Sequence, residues 1–178
     1  MPYNSKNSFI PLKMAIMTIS NTRTLETDTS GQVLVDRLTK AGHTLADRTI
    51  VSDDIHRIIA QLRIWISDPH IDVIITTGGT GLTGQDVTPE AFHQVIEKEI
   101  EGFGELFRWL SYAKIGTSTI QSRALGGVAQ GTYLFAVPGS TTACEDAWDE
   151  ILASQLDSRH RPCNFVELVP RLKERPVS

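Results

Sequence analysis

Ile71-Asp72-Val73-Ile74-Ile75-Thr76-Thr77-Gly78-Gly79-Thr80-Gly81-Leu82-Thr83-Gly84 is the stretch on which the fold turns. Its first half is β-branched almost throughout, which suits a strand buried on both faces at the centre of a parallel sheet. It runs directly into four glycines within seven residues. Backbone without a Cβ can approach a ligand closely, and successive N–H groups interleaved with Thr hydroxyls make a concave anion site. A plain structural reading stands beside this one: a sharp turn that needs positive φ.

On either side of this stretch, strand and helix patterns alternate. Residues 12–20 form an apolar, β-compatible run that enters a polar loop, Asn21 to Thr29. Ser30 is placed to cap a helix with Val33, Leu34, Leu38 and Ala41 on one face and Gly42 as its stop. A second strand is expected at Thr44 to Val51. Ile55, Ile58, Ile59, Leu62 and Ile66 then repeat at the spacing of an amphipathic helix. After the glycines, Thr88 and Pro89 read as the N-cap and first residue of a helix with Phe92, Val95, Ile96 and Ile100 inward. Residues 102–130 read as helical pieces broken by Gly104, Gly116 and Gly126-Gly127. A last strand, Thr132 to Val137, meets Pro138-Gly139-Ser140-Thr141-Thr142, followed by a helix carrying Ala143, Ala147, Trp148, Ile151, Leu152 and Leu156. The expected fold is a three-layer α/β/α sandwich on a largely parallel sheet, with right-handed crossovers. The expected division is an N-terminal segment 1–11, one domain 12–157 and an irregular tail 158–178.

Composition narrows the class. At 178 residues the chain fits one domain with a sizeable core, and 40% hydrophobic against 21% charged residues is ordinary for a globular protein. Seventeen Lys and Arg against 21 Asp and Glu give a formal net charge of −4. No basic run could track a phosphate backbone, so no nucleic-acid partner is expected. Cys144 and Cys163 have no companions at metal-ligand spacing. Met1 to Ser8 lacks the apolar core of a signal peptide, and no apolar run approaches the roughly 20 residues of a membrane span. A soluble cytoplasmic protein is the expectation. The histidines at 43, 56, 70, 93 and 160 show no ligand spacing and read as surface or helix-face residues. Trp65, Trp109 and Trp148 read as core or interface.

In such a sheet the loops beyond the carboxyl ends of the strands share one edge, where ligands bind. These loops contain Ser52-Asp53-Asp54, the glycine run through Asp86, and Pro138 to Thr142. Asp53 and Asp86, just beyond strands that look adjacent, are candidates to hold Mg²⁺ and orient phosphates. The plain alternative is that one caps a helix and the other satisfies loop amides. Arg123 beside Ser122 has the planar fork of donors that suits phosphate, and suits a surface ion pair equally well. Gly79-Thr80-Gly81-Leu82-Thr83-Gly84 formally matches the dinucleotide fingerprint. That fingerprint should open a helix at once and precede a strand ending in an acid, and neither holds, which disfavours a dinucleotide-dependent oxidoreductase. No Lys follows the glycines, so a Walker phosphate loop is excluded.

Taken in order, Thr76-Thr77-Gly78-Gly79-Thr80-Gly81, Asp86-Val87-Thr88-Pro89-Glu90-Ala91, Ser122-Arg123 and Pro138-Gly139-Ser140 resemble the MoaB/MogA family of molybdenum-cofactor biosynthesis proteins. Glu101-Gly102-Phe103-Gly104-Glu105 and Arg161-Pro162-Cys163-Asn164-Phe165 resemble its MoaB branch. The likeness covers about residues 12–165. It implies a domain that binds molybdopterin and assembles as a trimer or hexamer. In catalytic members the pterin phosphate attacks the α-phosphate of Mg-ATP, releasing pyrophosphate. The resemblance assigns Asp53 and Asp86 to the family's acidic, Mg²⁺-holding pair. It assigns Thr77, Gly78, Gly79, Thr80, Gly81, Ser122, Arg123, Pro138, Gly139, Ser140 and Thr141 to ligand binding, with ATP or GTP as the nucleotide. Ser52 and Gln85 depart from the family pattern, where many members have Pro and Arg. A neutral Gln cannot supply the charge stabilisation of an Arg, so binding is expected to be better preserved than catalysis.

Overall fold

A computed structural model describes residues 7–174; Met1 to Lys6, most of the segment scanned for a signal peptide, lie outside them. The chain runs β1 (Lys13–Ile19), α1 (Thr29–Lys40), β2 (Thr44–Val51), α2 (Ile55–Ser67), β3 (Val73–Thr77), α3 (Thr88–His93), β4 (Lys98–Glu99) and α4 (Glu101–Ile115). A 3₁₀ turn (Gly116–Gln121), β5 (Leu125–Ala129), β6 (Thr132–Val137) and α5 (Thr141–Ala147) follow. Beyond α5 the chain continues through a π turn (Trp148–Leu152) into the short α6 (Ala153–Gln155), and a last 3₁₀ turn spans Val166–Arg171.

One sheet carries all six strands in the order β2-β1-β3-β6-β5-β4. The first four are parallel, and β5 and β4 pair antiparallel with their neighbours. Strand alternation sorts the core into two layers. Met14, Ile16, Val73, Ile75, Tyr133 and Phe135 face α1, α4 and α5. Ala15, Met17, Ile74, Leu134 and Ala136 face α2 and α3. The expected three-layer α/β/α sandwich is therefore the fold. Because β2 and β3 leave β1 in opposite directions, the topological switch lies at the carboxyl end of β1 and β3.

Several local expectations are corrected. Asp28, not Ser30, caps α1: its carboxylate accepts from the Gly31 N–H at 2.9 Å. Ala41 is exposed, while Gly42 ends the helix at φ +95° as its position suggested. Thr88 is the first residue of α3 and not its cap, and its hydroxyl donates to the Gly78 carbonyl at 2.8 Å. The helix expected to reach Ile100 stops at His93, and the next residues pair with β5 instead. The Glu97 N–H reaches the Val128 carbonyl at 2.8 Å and the Ile100 N–H the Gly126 carbonyl at 2.7 Å. Gly126-Gly127, taken as a helix break, lies inside buried strand β5. A Cβ on Gly126 would sit 2.9 Å from Phe135 Cδ1, and one on Gly127 2.7 Å from Ile96 Cγ2. The glycines are there to let those side chains lie against the strand. Gly104 likewise does not break α4, since a Cβ there would collide with the Ala124 carbonyl. His43 and His160 are buried, against the surface reading; Trp65 and Trp148 are core, as expected, and Trp109 lies exposed on α4. Asp53 and Asp86 do not follow adjacent strands, because β1 lies between β2 and β3.

Candidate functional site

A cleft of about 570 Å³ opens where the carboxyl ends of β1, β3 and β6 meet the helices α4 and α5. Its floor is backbone. Gly78 and Gly79 have φ of +104° and +64°, and a Cβ on them would collide with the Ile19 carbonyl and the Thr88 hydroxyl respectively. The glycines at 78 and 79 thus meet a packing demand and also leave backbone facing the cleft. The loop after β6 abuts this one: a Cβ on Gly139 would lie 3.3 Å from Gly78 Cα. Ser140 caps α5, accepting from the Ala143 N–H at 3.1 Å. Ser30 on α1 donates to the Gly139 carbonyl at 2.8 Å, so its role is to hold this loop.

Gly78, Gly79, Thr80, Gly81, Asp86, Ser122, Pro138, Gly139 and Ser140 all line the cleft. Four other singled-out residues do not. Thr77 lies beneath the floor, donating to the Pro138 carbonyl at 3.0 Å, with the buried Cys144 thiol 3.1 Å from its hydroxyl. Burial pushes that thiol up to about 12, which leaves it protonated and unreactive. Thr141 turns toward Thr29, the two hydroxyls 3.1 Å apart. Arg123 braces the glycine loop from behind. It reaches the Gly81 carbonyl at 2.8 Å and the Asp86 carbonyl at 2.7 Å, and pairs with Glu90. Asp53 sits beyond β2, outside the lining, where its N–H donates to the Asn21 side chain at 3.1 Å.

The two carboxylates differ. Asp86 accepts from the Thr83 hydroxyl at 2.6 Å and the Thr83 N–H at 2.9 Å. The hydroxyl bond foremost, then backbone N–H groups and the Arg123 charge, hold its pKa below the ordinary carboxylate value. Asp53 is pushed above its ordinary value, mainly by partial burial, with the negative charge of Asp86 adding to it. A cation between them would relieve that repulsion. Two carboxylates with phosphate oxygens and water completing the shell is a donor set that suits Mg²⁺. Among the described residues no group of three or more His, Cys, Asp and Glu is placed to hold a metal alone.

Sequence reasoning missed the helical wall. Phe107, Ser111, Lys114 and Ile115 line it from α4, Gln121 from the turn after it, and Thr142, Ala143 and Asp146 from α5. The spacing 107, 111, 114, 115 is one face of a helix, visible once α4 is taken as continuous through Gly104. Ser122 Oγ is enclosed here and has no hydrogen-bond partner.

A family profile described as "Probable molybdopterin binding domain" matches residues 15–158. Molybdenum cofactor biosynthesis protein B of Escherichia coli K12 is 53% identical over 157 residues, spanning 88% of this chain and 92% of that protein. The chain belongs to the MoaB/MogA family. A second member of that family, molybdenum cofactor biosynthesis protein B of Staphylococcus epidermidis, is 43% identical over 150 residues, 82% of this chain and 85% of that one. A crystal structure of molybdenum cofactor biosynthesis protein B superposes with a TM-score of 0.85 at 37% identity, covering 95% of this chain and all of that one. The tungsten cofactor synthesizing protein MoaB of Pyrococcus furiosus superposes at 0.76 with 28% identity, over 92% and 98% of the two chains. The chain thus stands among the molybdenum cofactor biosynthesis proteins by family, and residues 15–158 are the domain that the profile describes. Among its described residues no helix is long and apolar enough to cross a membrane.

Proposed function

We propose that molybdopterin occupies the cleft, its terminal phosphate against Gly78–Gly81 and the Pro138–Ser140 loop, and that a nucleotide with Mg²⁺ lies toward Asp86 and Asp53. The observation that carries this reading is the meeting of the two glycine loops, after β3 and β6, beside the switch point of the sheet, where backbone and Ser140 face a cavity large enough for a pterin. In the full reaction a pterin phosphate oxygen attacks the α-phosphorus of ATP or GTP, and the bond to pyrophosphate breaks. Mg²⁺ would neutralise charge on the phosphate oxygens. Asp86 and Asp53 would hold it without acting as bases, Thr83 fixing the orientation of Asp86. Thr77, Thr141 and Arg123 act on this reading by shaping the loops. The protein would work in the cytoplasm as a homo-oligomer, trimer or hexamer, for which Leu106, Trp109, Tyr112 and Ile120 provide an exposed apolar surface.

A second reading, a carrier that binds without turnover, is favoured by Gln85, which stands exposed and neutral next to Asp86. Incubation of the purified protein with molybdopterin and Mg-ATP, and separately with Mg-GTP, decides between them. Pyrophosphate release supports the transferase, whereas pterin binding with no release over hours supports the carrier. Failure of molybdopterin to bind at all removes both. If the neutral residue is the cause, Gln85→Arg raises the rate of release.

A further inference from the structure

Lys114 is the one basic side chain among the described residues that line the cleft, and it is already paired. It stands in the last turn of α4 and bonds across to Asp146 on α5. The carboxylate is the more enclosed partner, at 17% side-chain exposure against 53% for the lysine. Glu145, the neighbouring acid, is engaged by Arg37 at 3.3 Å, and Arg37 also holds Asp149 at 2.9 Å, which leaves Asp146 to Lys114. The lining therefore presents Asp86 and Asp146 against a single cation. A phosphorylated ligand entering it meets a net negative wall unless Lys114 turns to it. An ammonium carries three donors on a flexible stem, so it can exchange partners at little cost in geometry. The enclosed Ser122 hydroxyl, without a partner, lines the same cleft and offers a further donor.

We propose that Lys114 is the phosphate-contacting residue of the helical wall and that Asp146 is an internal anion competing for it, so that the pair sets how tightly the cleft takes a phosphorylated ligand. This rests on the reading that the cleft binds such a ligand. It adds a residue pair that the glycine loops do not contain, and it predicts effects of opposite sign from the two partners. Loss of Asp146 frees the lysine and removes a repulsive charge, which tightens binding. Loss of Lys114 leaves Asp146 and Asp86 facing the ligand, which weakens it. A purely structural ion pair would give both variants the same direction of effect.

The test is calorimetric titration of the purified full chain with inorganic pyrophosphate at two salt concentrations, and with molybdopterin in parallel. Lys114→Met should weaken pyrophosphate binding about tenfold and flatten its salt dependence, Asp146→Asn should strengthen it severalfold, and Lys114→Arg should stay within about threefold of the original. Unchanged affinity in Lys114→Met, or weakening in both charge-removing variants, overturns the proposal. If molybdopterin binds the original chain and all variants alike, the cleft reading survives and the role of Lys114 falls. If the original chain binds neither ligand, the cleft reading fails and takes this proposal with it.

Discussion

The cleft has two walls built on different principles. The sheet-edge wall, Gly78–Gly81 with Pro138–Ser140, is backbone locked to backbone: Gly78 N–H to the Val137 carbonyl at 3.1 Å, Thr88 N–H to the Gly79 carbonyl at 3.0 Å, Arg123 N–H to the Thr80 carbonyl at 3.1 Å. The helical wall, Phe107 to Ser122 with Asp146, is side chains on helices, held at its rim by the Lys114–Asp146 ion pair. The first wall cannot vary without unfolding something beneath it. The second can change its chemistry residue by residue while the fold stays intact, and specificity within a shared fold is free to reside there.

The contrast breaks most directly at Gly78. Gly78→Ala forces a side chain into positive φ and against the Ile19 carbonyl. A loss of roughly 4 kcal/mol is expected, about 10 °C or more in thermal midpoint. A variant melting within 2 °C or so of the original would mean that the first wall is not locked. Asp28 tests the support behind that wall. It is buried and accepts from Thr18 at 2.7 Å, Gly31 at 2.9 Å and Arg48 at 2.9 Å. Asp28→Ala leaves the Arg48 charge half-buried without its partner, and urea denaturation should show a loss of about 3 kcal/mol.

His43 offers a comparison away from both walls. It accepts from the Leu12 N–H at 3.1 Å, and its ring lies 6.1 Å from that of Trp148. Burial pushes its pKa down to about 4, opposed by the Asp157 charge. The unfolded chain takes a proton near pH 6.5 where the folded one resists it, so stability should fall as pH drops from about 6.5 towards 4. The expected loss is on the order of 2–3 kcal/mol, and His43→Gln should flatten that slope; equal slopes would refute it. The smallest effect belongs to the helical wall. Lys114→Met removes a pair whose lysine is exposed and should change stability by no more than about 0.5 kcal/mol. A larger loss would place the ion pair among the supports of the fold and blur the distinction between the walls.

The same contrast explains what the sequence disclosed. β1, β2, β3, β6, α1 and α2 were readable because each strand is a short β-compatible run, each helix has a periodic apolar face, and turn or loop residues bound them. The glycine loops were readable because glycine clusters have few other uses. The stretch from Val95 to Ala129 was not. Gly104, Gly126 and Gly127 stand there for close approach by Ala124, Phe135 and Ile96, a tertiary demand that local pattern reads as breakage. With that error went α4 as a continuous helix, and with α4 went Phe107, Ser111 and Lys114. Arg123 was legible as a residue of interest, but its direction depends on loop carbonyls that only the folded chain brings to it.

β4 has a consequence for how the sheet meets other chains. It is two residues long, Lys98 and Glu99, both exposed and charged, and it closes one side of the sheet. So brief and charged an edge gives a foreign strand almost no ladder to join. The opposite margin is the eight-residue β2, whose register against β1 shifts at Met14/Ala15. The longer margin is thus the one a foreign strand would have to use, and there the register shift, with the charges of Asp47 and Arg48, supplies the protection that brevity gives β4.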